Sequence, residues 1–341
     1  MREPRSGWTH LNRAVPLVVR PFRPTYEVAL FRETLTVPKP VRAASTLRPV
    51  VPMLVCTLAI FLLSLMDAAM KAVVLAIGVY NVVLWRSLLA TVVSGSAWSF
   101  GGRRLPSGGI LRLHVLRAVI IGIVLISFFW GLARLPLAEG IALSFVAPLF
   151  ALFLAAVLLG ETIRRQAIWG SLAGMAGVGV IMAGQFGQES YTQAALLGTA
   201  SVLFSAVFYA YNLILARKQA LVASLLEIAF FQNLTLAILL GLAAPWLASL
   251  LPREMWLPVA GITALSLSGQ YLMSWAYGRA EAQYLIPTEY TAFIWAIGLG
   301  WFFFAETVTW TTLAGAALIV AGCLAASRGN PKLAEPIEAT I

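Results

Sequence analysis

Residues 159–177 read LGETIRRQAIWGSLAGMAG, and residues 304–322 read FAETVTWTTLAGAALIVAG. The two stretches lie 145 positions apart, and in each a Glu-Thr pair is followed at the same spacing by a glycine and an Ala-Gly pair. The equal spacing predicts that the chain contains two related halves.

The match between the halves extends without a gap over residues 130–177 and 275–322, and eleven of the 48 aligned positions are identical. Apolar matches arise readily by chance, but matches of tryptophan, arginine, Glu-Thr and glycine are harder to obtain by accident. The identical pairs are Trp130 and Trp275, Arg134 and Arg279, Ile141 and Ile286, Ala147 and Ala292, Ala151 and Ala296, Leu154 and Leu299, Glu161-Thr162 and Glu306-Thr307, Gly170 and Gly315, and Ala176-Gly177 and Ala321-Gly322.

The composition indicates the environment in which the chain folds. Of its 341 residues, 60% are hydrophobic and only 11% are charged, and the mean hydropathy is +0.86. A soluble domain carries about 25% charged residues, so this chain lacks the polar groups to cover a water-facing surface. A soluble enzyme, a disordered chain, a collagen and a coiled coil are excluded, and an all-α polytopic membrane protein is predicted.

Three scarce residue types restrict the chemistry. The chain has two cysteines, Cys56 and Cys323, two histidines, His10 and His114, and one aspartate, Asp67. This inventory supplies no disulfide framework, no multi-histidine metal site and no aspartyl dyad. We therefore expect no metal, no cofactor and no catalytic residue. The phosphate-binding pattern G-x-x-x-x-G-K-[ST] is absent as well, so no ATP hydrolysis is expected.

About ten apolar segments follow the first 49 positions. Each is long enough to cross a hydrocarbon core of about 30 Å as a helix, and helix is the conformation that satisfies the backbone in lipid. Their hydrophobicity is continuous rather than alternating, which argues against strands. The segments are 50–70, 80–99, 114–133, 137–159, 166–184, 195–215, 226–247, 257–277, 284–305 and 309–327.

The charges in the short connections predict the orientation. With the N-terminus inside, the inner connections and the C-terminal tail hold ten basic residues, whereas the outer connections hold three, Lys71, Arg134 and Arg253. Cytoplasmic loops carry the excess of Lys and Arg, so both termini are predicted to be cytoplasmic. Because five helices per repeat is an odd number, the second copy enters the membrane from the opposite side. Inverted repeats of this kind serve alternating access.

The predicted organisation has a basic cytoplasmic tail (1–48), a first five-helix repeat (49–187), a second (188–328) and a C-terminal cytoplasmic tail (329–341). The first tail holds nine basic residues and lacks an apolar run that would make it a secretory signal; an over-called start codon is the other interpretation of this segment. The net charge of +10 favours contact with anionic lipid rather than nucleic acid. We expect a multi-pass protein of a bacterial inner membrane.

The residues that carry the repeat also resemble a known family. Leu159-Gly160-Glu161-Thr162 before a glycine-rich fifth helix, and Phe304-Ala305-Glu306-Thr307 before Gly315 and Gly322, resemble the corresponding parts of two EamA domains. Trp85–Ala90 (WRSLLA) is similar to the arginine-bearing second helix of that family.

Over about residues 50–327 the chain is therefore identified as a member of the drug/metabolite transporter superfamily. The resemblance implies ten helices around a central cavity that moves small organic metabolites, often outward. The second copy departs from the family pattern, because Ala305 stands at the position of Gly160, and Phe293 at the position of Pro148.

Three charged side chains are the first candidates for a substrate site. Asp67 and Lys71 lie four positions apart, so they share a helix face, and Arg86 lies at a similar depth in the second segment. Charges within a membrane span are costly and tend to be paired and functional. One interpretation of the trio is an anion site, in which Arg86 or Lys71 binds the anion and Asp67 tunes the binding. The other interpretation is a structural ion cluster. In the second half Asn212 and Gln232 fall near the positions of Lys71 and Arg86, so the site is expected to be asymmetric.

Glu289 is the second candidate. It lies about five residues into the ninth segment, after Pro287, and no basic residue lies within four positions of it in the sequence. A carboxyl in such surroundings suits proton coupling or binding of a substrate amine, and pairing with Arg279 or another cation is the alternative. Tyr290 and Tyr271 are expected to line the cavity, since aromatic rings supply much of the surface of ligand pockets.

Pro148 is predicted to kink the fourth helix, because proline removes one backbone hydrogen bond. Broken helices often line the substrate site of a transporter, although a kink can also serve packing alone.

These observations predict a secondary transporter that moves a small organic metabolite, amino-acid-like or amphipathic, across the inner membrane by alternating access, with export favoured and proton coupling possible. Within transport, the alternative is an uptake permease for a nucleotide-like or vitamin-like metabolite. The alternative of another class is a non-transporting membrane sensor that uses the basic tail as its output arm. The expected partners are the small-molecule substrate and the lipid bilayer.

Overall fold

The computed structural model describes residues 50–100, 105–159, 165–186, 193–220, 222–277, 279, 285 and 288–327. The helices belong to one compact unit. The predicted tails, 1–48 and 329–341, lie outside the described residues.

The described residues form helices, and no strand occurs among them, which confirms the predicted all-α fold. A turn of 3-10 helix, Arg253–Met255, precedes α9. In chain order the helices are α1 (Val50–Ile77), α2 (Val79–Phe100), α3 (Gly108–Leu132), α4 (Leu137–Ser144), α5 (Ala147–Leu159), α6 (Arg165–Phe186), α7 (Gln193–Ala220), α8 (Leu225–Leu247), α9 (Trp256–Tyr277), α10 (Thr291–Phe304) and α11 (Trp310–Ser327).

The helices lie within or overlap the predicted apolar segments, and one of these segments contains two helices. The fourth segment, 137–159, consists of α4 and α5 rather than one helix. By length and composition, α1, α3, α7 and α8 each contain a stretch that can cross a membrane. The chain is therefore a multi-pass membrane protein.

The division of the fourth segment lies directly before Pro148, where α4 ends at Ser144 and α5 begins at Ala147. Proline is tolerated in the first turn of a helix, because the N–H groups there have no acceptor within the helix. The two intervening residues, Phe145 and Val146, donate backbone hydrogen bonds three positions back, as in a 3-10 turn. In the second repeat the equivalent helix, α10, begins at Thr291, one residue before the position that corresponds to Ala147.

The helices of the two repeats interdigitate. The four most extensive interfaces pair α6 with α11, α3 with α7, α1 with α9 and α2 with α8, and each joins the first repeat to the second. Exchanging the repeats maps the pair α3–α7 onto α9–α1. Two contacts agree with this mapping. Ser201 Oγ of α7 donates to the Ser127 carbonyl oxygen of α3 at 2.7 Å. Cys56 of α1, which is equivalent to Ser201, has its Sγ atom 3.7 Å from Sδ of Met273 on α9. This is the pattern of a pseudo-twofold axis.

Glycines bring the backbones of α6 and α11 into close contact. A Cβ atom added to Gly177 would lie 2.6 Å from the Gly315 carbonyl oxygen, and one added to Gly322 would meet the backbone of Gly170 and Gly174. Positions along α6 rise as those along α11 fall, so the two helices pack antiparallel. Exchanging the repeats converts the contact of Gly177 with Gly315 into that of Gly322 with Gly170, so the axis passes through this interface.

We predict that Gly177→Ala destabilises the protein by about 1–3 kcal/mol, because the new methyl group would collide with backbone atoms of α11 that cannot move aside. Gly179→Ala is the matched control on the same helix, since nothing lies within 4 Å of a Cβ atom there. The control should be neutral or gain up to about 1 kcal/mol of helix stability. Thermal unfolding of the purified protein in detergent measures both, and equal midpoints would contradict the proposed contact.

Ala305 has a left-handed backbone, with φ of 52°, directly after α10. Its N–H donates to the Trp301 carbonyl oxygen, and the N–H of Glu306 donates to the Gly300 carbonyl oxygen. The bond from Ala305 to a carbonyl oxygen four positions back is that of the αL helix ending, whose left-handed residue is usually glycine. The first repeat has Gly160 at the equivalent position, so the Gly-Glu-Thr motif carries a residue suited to this helix ending.

Ala305→Gly should therefore stabilise the protein by about 1 kcal/mol, because glycine adopts a left-handed conformation without a steric cost. Ala296→Gly, in the interior of α10, should lose about 1 kcal/mol, since glycine is a poor helix former. The unfolding midpoints of the two variants should move in opposite directions, and a lower midpoint for Ala305→Gly would refute the explanation.

Candidate functional site

The helix interruptions of the two repeats meet each other. The rings of Phe145 and Tyr290 pack edge to face, with centroids 5.3 Å apart, and these two residues occupy equivalent positions of the repeats. Residues that exchange under a twofold axis touch each other only close to that axis. Both interruptions therefore lie at the axis of the bundle. Irregular backbone within a membrane bundle lies in protein or lines a cavity, so this point is the first part of the candidate site.

Glu289 lies in the helical turn before α10, beside Tyr290, and is partly buried. It is close enough to Cys56 of α1 to act electrostatically on the thiol. The neighbouring Thr288 places its Oγ1 atom 3.1 Å from Cys56 Sγ. Trp295 Nε1 is buried and has no hydrogen-bond partner among the described residues. The turn thus offers a carboxylate and an aromatic ring, Tyr290, next to the axis.

Asp67 and Arg86 are brought together, as their depth in the sequence predicted. They lie on α1 and α2 and interact electrostatically. Arg86 Nη1 donates to Ser266 Oγ of α9 at 3.1 Å, and Gln270 Nε2 donates to the same oxygen at 3.3 Å. Within the described part of the chain, the buried Arg86 Nε atom has no partner. Asp67 is partly buried and Arg86 is 8% exposed, so this charged pair lies largely within the protein.

Lys71 does not join that pair. Its ammonium group forms an ion pair with Glu306 of the α10–α11 connection and donates to the Leu135 carbonyl oxygen at 2.5 Å. Asp67 and Lys71 share one face of α1, but they interact with different charged residues, Arg86 and Glu306.

A second buried arginine, Arg117 of α3, forms a network of which only Asn212 was among the candidates chosen from the sequence. Arg117 donates from Nε to Asn212 Oδ1 at 3.0 Å and from Nη1 to Gln219 Oε1 at 2.5 Å. Gln219 also bonds to His114, whose Nε2 atom lies 3.2 Å from Glu227 Oε1. The position of Arg117 inside the predicted span 114–133 is the signal that could have made it a candidate, because charges within a membrane span tend to be paired and functional.

The two arginine clusters occupy equivalent places. Arg86 and its partners lie on α1, α2 and α9, and Arg117 and its partners lie on α7, α3 and α8, which are the same three helices after exchange of the repeats. Asn212 occupies the position equivalent to Asp67. The second cluster thus has an amide where the first has a carboxylate, and it is closed by its own hydrogen bonds.

The remaining candidates lie elsewhere. Gln232 is half-buried on α8, and Tyr271 on α9 is 60% exposed. The equivalent residues Trp130 and Trp275 each lie near the end of a helix and bind an arginine. Arg134 lies over the Trp130 ring and donates to the Trp130 carbonyl oxygen at 2.7 Å. Arg279 does the same at Trp275, with a hydrogen bond of 3.3 Å. Among the described residues no cluster of three or more His, Cys, Asp and Glu side chains is suited to a metal ion.

Two interdigitated helical repeats and interrupted helices that meet at their axis are an architecture typical of membrane transporters. The model of the EamA-like transporter family matches residues 51–183 and 196–328. The chain therefore belongs to the EamA-like transporter family, as its motifs indicated, and family membership indicates a transporter rather than an enzyme.

Relatives of known name agree with this assignment. The chain is 30% identical over 277 residues to a pseudopaline exporter of Pseudomonas aeruginosa, which covers 81% of this chain and 95% of the exporter. It is 26% identical over 261 residues to a riboflavin transporter of Brucella anthropi, with coverage of 72% and 88%. A solved crystal structure shares the fold, with a TM-score of 0.55 and 21% identity over 82% of this chain and 98% of that chain.

Gln219→Leu tests the network around Arg117. The change removes a partner of Arg117 and of His114 and leaves buried polar groups unpaired, at a cost of about 1–3 kcal/mol for each group. Gln193→Leu, at the exposed start of the same helix, should change stability by less than about 0.5 kcal/mol. Unfolding in detergent compares the two, and equal stability would show that the network contributes little.

Proposed function

We propose that this protein is a secondary transporter that moves a small organic metabolite across the bacterial inner membrane by alternating access. The observation that carries the proposal is the contact of Phe145 with Tyr290. Because it joins the two helix interruptions at the axis, exchange of conformations between the repeats would open this point to either side in turn.

The topology that we propose has ten membrane spans, in repeats 49–187 and 188–328 of opposite orientation, with both termini in the cytoplasm. The antiparallel packing of α6 against its own equivalent, α11, supports the inverted orientation, because two helices related by an axis in the membrane plane run in opposite directions. The bias of basic residues toward one side supports the cytoplasmic termini.

The substrate that we propose carries both a carboxylate and an ammonium group, as an amino-acid-like metabolite does. Arg86 would bind the carboxylate through its unpartnered Nε atom, and Asp67 would bind the ammonium group. Glu289 and Tyr290 would contact the substrate at the axis as a second carboxylate and an aromatic surface. A site with opposite charges side by side favours such a solute over a singly charged one.

Export is the direction that we propose, because the pseudopaline exporter is similar over almost all of its length. The names of two other relatives favour the alternative, uptake of a vitamin-like or nucleotide-like metabolite: the riboflavin transporter and an S-adenosylmethionine uptake transporter of Rickettsia bellii, 24% identical over 214 residues, 62% of this chain and 71% of that one.

A thermal-shift screen of the purified full chain against amino acids, their derivatives, riboflavin and nucleosides tests the substrate class. A ligand present at 100 times its dissociation constant stabilises a two-state protein by about 2.7 kcal/mol. Stabilisation by zwitterionic compounds would support the proposed class, and stabilisation by riboflavin or nucleosides alone would favour the uptake alternative.

For a zwitterionic compound identified in this way, Arg86→Gln and Asp67→Asn should each weaken binding about 10- to 100-fold. Each removes a charge-assisted hydrogen bond worth about 1.5–3 kcal/mol. Ser268→Ala, an exposed position on the same helix as Ser266, is the control and should bind like the natural protein. Efflux from proteoliposomes should fall in parallel with binding, and unchanged affinity in both charge variants would remove this pair from the substrate site.

A further inference from the structure

A second group of buried charges lies where α3 turns into α4, and the proposed substrate site does not use it. Lys71 of α1, Glu139 of α4 and Glu306 of the α10–α11 connection form this group, which we call the Glu139 cluster. Lys71 is 4% exposed and Glu139 is 7% exposed. It contains two carboxyl groups and one ammonium group.

The charge of Lys71 is already matched by Glu306. Lys71 Nζ donates to Glu306 Oε1 and to the Leu135 carbonyl oxygen at 2.5 Å. Glu306 Oε2 accepts the N–H of Leu137, the first residue of α4, at 2.6 Å. Glu306 thus places a negative charge at the N-terminus of α4, where a carboxylate is favourable. An acidic residue in the first turn of the helix itself would be expected to have this role.

Glu139 has no such partner. Its Oε1 atom is buried, and no hydrogen-bond partner for it occurs among the described residues. The ionisable groups that act on it electrostatically are Lys71 and Glu306, which neutralise each other. Arg134, in the same turn, lies over the Trp130 ring instead. A buried carboxylate without its own counter-charge is costly, and binding a proton removes the charge.

The other repeat does not have the residues of the Glu139 cluster at its equivalent positions. The positions equivalent to Lys71 and Glu139 in the other repeat are Ala216 and Tyr284, so only the Glu of the Glu-Thr motif is common to both. The second carboxyl, Glu139, and the lysine of the ion pair therefore occur in the first repeat without equivalents in the second.

We propose that Glu139 binds and releases the proton that couples to transport, an assignment that rests on the proposed function. In the protonated state Glu139 is neutral, and Lys71 stays paired with Glu306, which ties α1 to the α10–α11 connection. When the proton leaves, the Glu139 carboxylate competes with Glu306 for the Lys71 ammonium group. That competition loosens the tie, so the occupancy of one proton site biases the position of α1 relative to α10 and α11.

Infrared difference spectroscopy of the reconstituted full chain tests this without a substrate, with the proton as the probe. The pH is varied between about 5 and about 9, a range that spans ordinary and perturbed carboxyl groups. The natural protein should show a carboxylic-acid band that disappears as the pH rises. Glu139→Gln should lose this band, and the matched control Glu254→Gln, at an exposed position, should keep it.

Survival of the full band in Glu139→Gln would overturn the proposal. If that variant does not fold, Glu139→Asp decides: a titrating band at a shifted midpoint supports the assignment, and an unshifted band refutes it. Loss of the band on adding sodium chloride at constant pH would also overturn it in favour of a sodium site. Because the measurement requires no transport, a failed search for a substrate would leave this result interpretable.

Discussion

Close contact between the backbones of α6 and α11 is the constraint on which the symmetric arrangement rests. Gly177 faces Gly315 and Gly170 faces Gly322, so a side chain at any of these places would separate the helices. The contact defines the axis that relates the repeats, and the same axis passes between Phe145 and Tyr290. Two helix interruptions, each costly alone in lipid, thereby share one protein-lined position.

The symmetric helices carry an asymmetric set of charges. Beside Asp67, the buried Arg86 Nε atom has no hydrogen-bond partner among the described residues, whereas the equivalent helices hold Arg117 in a network with amide and histidine partners. A network of several linked hydrogen bonds suits a rigid support. An open pair suits binding, because a solute can complete its hydrogen bonds. The difference between Asp67 and Asn212 separates these two roles.

In the transport cycle that we propose, three groups of residues have different tasks. The aromatic rings at the axis lie where the repeats must move relative to each other, the Asp67–Arg86 pair offers opposite charges to a solute, and the Lys71–Glu306 ion pair ties α1 to the α10–α11 connection. Because helices of the two repeats interdigitate, all three groups lie among interfaces that join one repeat to the other.

The sequence alone determined the helical class, the position of nearly every helix, the repeat and the interruption before Pro148. Each of these follows from local hydrophobicity or from a residue's own backbone preference. Helical spacing also put Lys71 and Asp67 on one face, but only the tertiary structure gave Lys71 its partner, Glu306, 235 positions away. Likewise, it assembled the network around Arg117, left the Oε1 atom of Glu139 without a hydrogen-bond partner among the described residues and brought Phe145 to Tyr290. These pairings depend on which helices pack together and in what register, and spacing within one helix carries no information about that.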